Sequence, residues 1–169
     1  MKTKIRKLLQ IGIIVESVDE AVRNYEMILG TGPWEIKTVS GEDEPFRDLQ
    51  IDGVSRPEKI CKLAICKVFG MEIELIEPIA ESPYSRWLVE HGPGLHHIAV
   101  DTEDDYDGIL QSYQEEKGEK PWIRATGMNG LMDYSYLDFR KEMWLIMECS
   151  RNIEPGRTGI DPDYKGELV

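Results

Sequence analysis

The sequence repeats one order of predicted elements twice, and this duplication limits the fold more than any single motif does. An apolar run at Leu8–Val15 precedes a helix with the serine and glutamate of a capping box, and a second run at Gly94–Thr102 precedes a helix that Asp104 can cap. Residue 10 then aligns with residue 97, an offset of 87 that brings both helix starts into the same register. Such a duplication makes equivalent positions of the two halves structural counterparts.

Each half predicts one βαβββ unit of an α+β fold, because three strand-like runs follow each helix. We expect one domain over residues 1–169, with a first module at 7–79, a second module at 93–150 and a surface tail at 151–169. The polar stretch Ser40–Glu58 is typical of a long loop or flap. The strand-like runs are Trp34–Val39, Ile60–Phe69, Met71–Ile76, Trp122–Thr126, Leu131–Phe139 and Met143–Cys149.

Charge and composition argue against several classes of partner. The chain has 20 Lys plus Arg against 32 Asp plus Glu, a net charge of −12 that would repel nucleic acids and acidic membrane surfaces. No apolar run approaches the roughly 18 to 20 residues of a membrane span. We therefore expect a cytoplasmic protein that binds neither nucleic acid nor membrane. Three cysteines lie in apolar runs without metal-site spacing and are expected to be buried thiols: Cys61, Cys66 and Cys149.

Polar side chains occur on the predicted strands where apolar ones would be expected. Side chains alternate across a strand, so Gln10 lies opposite the helix-facing residues Ile11 and Ile13, and His97 takes the same place in the second half. Carboxylates lie on the last strand of each unit, where burial without a partner is costly. An amide, an imidazole and two carboxylates suit a divalent ion such as Zn, Ni, Co, Mn or Fe. The alternative is a solvent-facing sheet surface without metal. The candidate ligands are Gln10, Glu74, His97 and Glu148.

Four segments resemble the vicinal oxygen chelate superfamily, which includes glyoxalase I, methylmalonyl-CoA epimerase, extradiol dioxygenases and bleomycin-resistance proteins. They are QIGIIVESVDEAVRNYEMILG, GMEIELIEP, WLVEHGPGLHHIAV and DFRKEMWLIMECS. The resemblance implies a curved, cup-shaped mixed sheet and commonly a homodimer. It also implies one metal ligand on the first and last strand of each module, as at the four candidate positions. Gly94–Ala99 and Glu74–Pro78 are most similar to the epimerase branch.

One position departs from the epimerase-like and dioxygenase-like branches, which usually carry His where this chain has Gln10. A glutamine there argues against Fe(II) oxygen chemistry. A Gln, Glu, His, Glu set does resemble that of some glyoxalase I enzymes. The resemblance therefore favours a metal-dependent lyase or isomerase acting on a small molecule by proton removal next to a carbonyl, through a metal-stabilised enolate. The alternatives are a non-catalytic small-molecule-binding protein and, less favoured, a ring-cleaving dioxygenase.

The sequence offers several residues for catalysis and substrate binding. Glu148 or Glu74 could act as the base if it leaves the ion, and Glu72 is a further candidate. His96 is expected to point to the opposite face from its neighbour His97, as a core or interface histidine, and His91 is expected to lie in a loop. No basic cluster of the kind that a CoA ester favours is visible in the sequence. The residues expected to line the substrate pocket are Trp144, Tyr134, Tyr136 and Glu72.

Overall fold

The computed structural model describes residues 5–43, 45–68, 70–102 and 105–152, which form one ten-stranded sheet with helices packed against it. None of the helices in these residues is long and apolar enough to cross a lipid bilayer. The strands are β1 (Lys7–Ile14), β2 (Glu35–Val39), β3 (Arg47–Ile51), β4 (Val54–Ser55), β5 (Cys61–Val68), β6 (Met71–Pro78), β7 (Gly94–Asp101), β8 (Ile123–Gly127), β9 (Met132–Phe139) and β10 (Leu145–Asn152). The α-helices are α1 (Val18–Leu29), α2 (Pro83–His91), α3 (Tyr106–Lys117) and α4 (Arg140–Met143).

The sheet is mixed and curled, which confirms the fold class expected from the sequence. Its strand order is β2-β5-β6-β1-β7-β10-β9-β8-β3-β4, so β1 and β7 are neighbours at the centre and pair antiparallel. Each of these two strands pairs on its other side with a parallel partner, β1 with β6 and β7 with β10. Antiparallel pairs then continue outward in both directions. The same pairing pattern therefore occurs twice around the β1–β7 contact.

Alternation along the strands separates the inner face of the sheet from the face that carries the helices. Ile14 is fully buried in the cluster inside the curl. Its neighbours Ile13 and Val15 pack instead with Val18 of α1. On the second half, Val100 packs with α3 in a separate cluster. Helices α1 and α3 thus cover the convex side, whereas Tyr84 of α2 packs in the inner cluster and lines the concave side.

The prediction of a long loop or flap over Ser40–Glu58 is wrong, because this stretch contains the hairpin of β3 and β4. Leu49 and Ile51 alternate with polar residues and are buried in the inner cluster. Strand β3 pairs with β8 and extends the sheet at the far side of the second half. Two apolar residues in a polar segment give too weak a period for a sequence-based strand prediction.

Three further expectations are corrected by the observed element ends. His91 is the last residue of α2, not a loop residue, and this helix begins with a capping box between Ser82 and Ser85. Strand β10 begins at Leu145 instead of Met143 because the short helix α4 occupies residues 140–143. The same strand continues to residue 152, so the first two residues of the expected tail belong to the sheet. Asp104 lies outside the described residues, and α3 begins after Asp105.

The three cysteines are buried free thiols, as expected. Burial is the main cause that raises the pKa of each: Cys61, Cys66 and Cys149. Their positions on strands of the core explain why these thiols pack as small apolar side chains.

A buried hydrogen bond fixes the start of α3 to the sheet and allows a test of the fold. The Tyr106 hydroxyl lies 2.7 Å from Ser135 Oγ on β9, and both side chains are almost fully buried. Tyr106→Phe leaves the serine hydroxyl without this partner, so we expect a loss of about 1–3 kcal/mol in the free energy of unfolding, measured by urea titration. Tyr25→Phe on α1 is the control, because this tyrosine is half-buried and its hydroxyl makes no hydrogen bond within the described part of the chain. Equal losses in the two variants would contradict the prediction.

Candidate metal site and cavity

The four predicted ligands lie on the four adjacent strands at the centre of the sheet. Gln10 is on β1, Glu74 on β6, His97 on β7 and Glu148 on β10. Strand pairing sets Gly12 directly opposite both Glu74 and His97. Each of the four ligand-type residues is at most 7% exposed. The structure thus brings together residues that are up to 138 positions apart in the chain.

The charged groups of this cluster face one another closely. His97 Nε2 lies 3.2 Å from Glu148 Oε2 and 3.7 Å from Glu74 Oε2. One ligand atom from each of these three residues lies within 4.8 Å of the others. Gln10 joins the cluster through a side-chain hydrogen bond to Glu74. This geometry provides an imidazole nitrogen and carboxylate oxygens around one point.

The environment of Glu74 fits a bound divalent cation. Burial raises the pKa of the Glu74 carboxyl well above its usual range, and repulsion from Glu148 and Glu72 raises the pKa further. Glu74 Oε2 is buried and has no hydrogen-bond partner among the described residues. A cation would neutralise the carboxylates of Glu74 and Glu148 and would also give the unpaired oxygen a partner. The residues present therefore suit the metal that the sequence predicted.

Gly12 is a residue of this site that the sequence reasoning did not identify. A Cβ atom added at Gly12 would lie 1.8 Å from His97 Cε1 and 2.2 Å from its Nδ1. The imidazole ring of His97 therefore lies directly over the backbone of β1. The signal for this role was present in the sequence only as a glycine on the same face as Gln10, and it needed the strand pairing to become visible.

Two β-bulges shape the site, one in each central strand. Between Leu8 and Gln10 the β1 strand advances two residues while β7 advances one, so Leu9 is the extra residue. Between His97 and Leu95 the β7 strand has the extra residue, which is His96. Since 9 and 96 differ by the same offset of 87, the two bulges occupy equivalent positions of the repeat. Each bulge comes immediately before a candidate metal ligand.

The bulge corrects the expectation that His96 points away from His97. A bulge breaks the alternation of side chains, and His96 Nδ1 lies 3.1 Å from His97 Nδ1. The His96 ring packs edge-on against Trp87 and Tyr84. Burial lowers the pKa of His96 to about 2, with a further contribution from His97, so this imidazole is neutral at physiological pH.

A cavity of about 190 Å³ adjoins the cluster on the concave side of the sheet. Gln10, Glu74 and Glu148 line it, together with apolar side chains from both halves and from the loop before β3. Among these apolar side chains are Leu9, Val39, Phe46, Leu63, Ile65, Met71, Met128 and Met132. A site with an apolar wall and a few convergent polar groups is typical of small-molecule binding.

Three of the four residues expected around the pocket line this cavity, and one does not. Tyr134, Tyr136 and Glu72 line it. Burial raises the pKa of both tyrosines well above the usual range, so they present neutral hydroxyls. Trp144 lies outside: it ends α4 in a left-handed backbone conformation and is 87% exposed. The strand prediction placed it wrongly because α4 shifts the start of β10.

Gly12→Ala should displace the His97 ring, because the added methyl group overlaps it. We expect a loss of about 1–3 kcal/mol in the free energy of unfolding by urea titration, the usual range for overpacking. Gly127→Ala on β8 is the matched control, since its Cβ would meet only ordinary contacts from 3.5 Å and its φ is −113°. That control should leave stability unchanged or increase it slightly. A stable Gly12→Ala protein would contradict the observed placement of His97.

Glu74→Gln should change how the stability of the metal-free protein depends on pH. The raised pKa means that the Glu74 carboxyl contributes stability below pH 4.5 and that this contribution is lost as pH rises through the raised pKa. Glutamine undergoes no such loss. Urea titrations at a series of pH values above 4.5 should therefore show the Glu74→Gln variant gaining stability relative to the unmodified chain as pH rises. A difference that stays constant with pH would contradict the buried placement of this carboxyl.

Comparison with solved structures shows the same fold in proteins of low sequence identity. A methylmalonyl-CoA epimerase from Streptomyces coelicolor in complex with 2-nitronate-propionyl-CoA matches with a TM-score of 0.62 and 21% identity, over 89% of this chain and 99% of that one. A hypothetical protein from Bacillus halodurans C-125 matches with a TM-score of 0.60 and 24% identity, over 90% and 98%. The methylmalonyl-CoA epimerase from Mycobacterium tuberculosis gives 0.61 and 18%, over 89% and 91%.

Sequence comparison points in the same direction. The uncharacterized protein YqjC of Bacillus subtilis (strain 168) is 32% identical over 96 residues, and the match spans 56% of each chain, little more than half of that relative's length. The sequence model of the Glyoxalase/Bleomycin resistance protein/Dioxygenase superfamily matches residues 9–133, from β1 into β9. The resemblance stated from the sequence is confirmed, and the chain belongs to the Glyoxalase/Bleomycin resistance protein/Dioxygenase superfamily.

Proposed function

We propose that this chain is a divalent-metal-dependent lyase or isomerase that removes a proton from a carbon next to a carbonyl, in the manner of methylmalonyl-CoA epimerase or glyoxalase I. The observation that carries the proposal is the buried cluster of Glu74, His97 and Glu148 beside the cavity. Gln10 would complete the ligand set through its amide, which already contacts Glu74.

The cluster has the donor chemistry that such a reaction needs. A divalent cation bound there supplies a Lewis acid for the carbonyl oxygen of the substrate. Carboxylate, amide and imidazole donors favour Zn, Ni, Co, Mn or Fe over a metal that seeks thiolates. The apolar side chains of the cavity exclude water from the substrate carbon, and so strengthen the electrostatic interactions of the site.

The cavity offers three carboxylates as the base. Glu74 and Glu148 could take the proton only by releasing the cation, whereas Glu72 lies outside the ligand set. Burial raises the pKa of the Glu72 carboxyl, which brings it closer to the value a base needs near neutral pH. It is also on the same strand face as Glu74, two residues away, and lines the cavity. These features support Glu72 as a base beside the two carboxylates that the sequence favoured.

The charges around the cavity support an anionic substrate. Lys7, Lys37 and Lys67 line it, from β1, β2 and β5. Each of these lysines is 30 residues from the next in the sequence, so they come together only when the strands assemble. Lys37 pairs with Glu35 at 3.0 Å. Four carboxylates, Glu35, Glu72, Glu74 and Glu148, line the same cavity. A divalent cation at the cluster would offset Glu74 and Glu148, and the three lysines would then outnumber the two remaining glutamates, which favours a substrate with carboxylate or phosphate groups, as in an acyl-CoA ester.

The mainly apolar wall of the cavity also favours a second candidate, a non-catalytic small-molecule-binding protein. This candidate requires no metal and no base. A ring-cleaving dioxygenase is disfavoured by Gln10, since those enzymes use two histidines and one carboxylate for iron. The proposal further includes a cytoplasmic location and a homodimer. The homodimer is supported by exposed apolar side chains at the end of α1, which are Met27, Ile28 and Leu29.

Elemental analysis combined with proton exchange tests the proposal. Protein purified without chelators should contain about one divalent ion per chain and should exchange the α-proton of an acyl-CoA or hemithioacetal with deuterium, followed by NMR. Glu148→Gln should lose the metal. Glu72→Gln should keep the metal and lose exchange by about 10²- to 10⁴-fold, the usual contribution of a general base.

The control is Glu90→Gln, an exposed carboxylate of α2 that is not among the residues lining the main cavity. It should match the unmodified chain in metal content and exchange rate. Metal-free protein that still binds an apolar anion would favour the binding protein. Metal-loaded protein that exchanges no α-proton of any acyl-CoA or hemithioacetal tried would contradict the proposed reaction.

A further inference from the structure

We propose that His96 is a positioning residue, whose Nδ1 accepts a hydrogen bond from His97 Nδ1–H and so keeps His97 Nε2 free to bind the cation. This inference rests on the proposed metal site. It adds a role for a residue that does not itself touch metal or substrate.

The geometry of the two imidazoles allows only one placement of their ring protons when a metal is bound. His97 Nε2 faces the two carboxylates, at 3.2 Å from Glu148 and 3.7 Å from Glu74. A nitrogen that donates its lone pair to a cation carries no proton, so the ring proton of His97 must be on Nδ1. Among the described residues, that nitrogen makes a hydrogen-bond contact with His96 Nδ1, at 3.1 Å. Of two nitrogens in contact, only one can carry the proton, and His96 Nδ1 is therefore the acceptor.

The surroundings of His96 hold its ring in place for this contact. The ring lies 4.9 Å from that of Trp87 with a right angle between the planes, and 5.5 Å from that of Tyr84. Only 4% of the residue is exposed. Both partners come from α2, the helix that the sequence did not predict. The α2 helix thus supports the metal site through His96 without contributing a ligand.

The other ring nitrogen of His96 indicates that packing alone does not explain why a histidine occupies this position. His96 Nε2 is buried without a hydrogen-bond partner among the residues that the structure covers. Burying an unpaired polar atom is unfavourable, and a phenyl ring of similar size would avoid this cost. The Nδ1 contact to His97 is the interaction that an apolar ring could not replace.

The repeat supplies an internal comparison. The bulge of β1 has Leu9 at the position equivalent to His96, and the ligand that follows it is Gln10. An amide ligand has no tautomer to fix, so this bulge needs no hydrogen-bond acceptor. The second bulge has an acceptor and is followed by an imidazole. Partners that fix the tautomer of a ligating histidine typically change metal affinity by 10- to 100-fold.

The experiment uses the full chain with zinc and has a spectroscopic readout. In zinc-loaded protein with ¹⁵N-labelled histidines, NMR should show His96 with its proton on Nε2 and a bare Nδ1, and His97 with its proton on Nδ1. A proton on His96 Nδ1 in the zinc-loaded protein would overturn the inference. This measurement needs no variant, so it stands even where a substitution impairs folding.

Variants then test the consequence for metal binding. His96→Phe keeps the ring but removes the acceptor, and its dissociation constant for zinc, from competition with a chromogenic chelator, should rise 10- to 100-fold. His96→Asn places an amide oxygen near the former Nδ1 and should restore affinity to within a few-fold. His91→Gln is the control, because His91 also packs on Trp87 but makes no hydrogen bond with His96 or His97 in the part of the chain that the structure describes.

Each outcome separates the inference from the proposed function. Unchanged zinc affinity in His96→Phe, or affinity in His96→Asn as weak as in His96→Phe, would overturn the role of the acceptor. An unmodified chain that binds no zinc or other divalent ion would instead overturn the proposed metal site.

Discussion

The antiparallel pairing of β1 with β7 is the contact on which the rest of the structure depends. It joins the two halves of the repeat and brings Gln10 and His97 onto neighbouring strands. The parallel partners β6 and β10 flank this pair and contribute Glu74 and Glu148. A ligand-type side chain from each of four adjacent strands then faces the same region of the concave side, while α1 and α3 cover the other face.

Electrostatics explains why this point suits a cation. Two carboxylates and an imidazole are buried together, and the pKa of Glu74 is raised because its charged form has lost water and faces other carboxylates. Burying such charges is costly unless a counter-charge is present. Three lysines line the same cavity, together with Glu35 and Glu72. Strand pairing thus concentrates opposite charges in one part of an acidic protein.

The departures from sequence-based expectation have local causes. His96 turns toward His97 because a bulge interrupts the two-residue period on which the expectation was based. Trp144 leaves the cavity because α4 takes up the residues that looked like the start of a strand. Leu49 and Ile51 are buried in the core and so hold a hairpin against it, although the surrounding residues have the composition of a loop. In each case a specific structural feature, a bulge, a short helix or the pairing of β3 with β8, outweighs the two-residue pattern.

The sequence by itself determined the repeated order of strands and helices, the curled mixed sheet implied by its resemblance, and the four ligand-type residues. These features are local or periodic, and alternation along a strand or spacing along a helix reports them directly. Only the tertiary structure decided that Gly12 leaves room for the His97 ring, that His96 contacts it, and that three lysines share one cavity. These features depend on strand register and on bulges, and a shift of one residue in pairing would move every one of these side chains to the other face of the sheet.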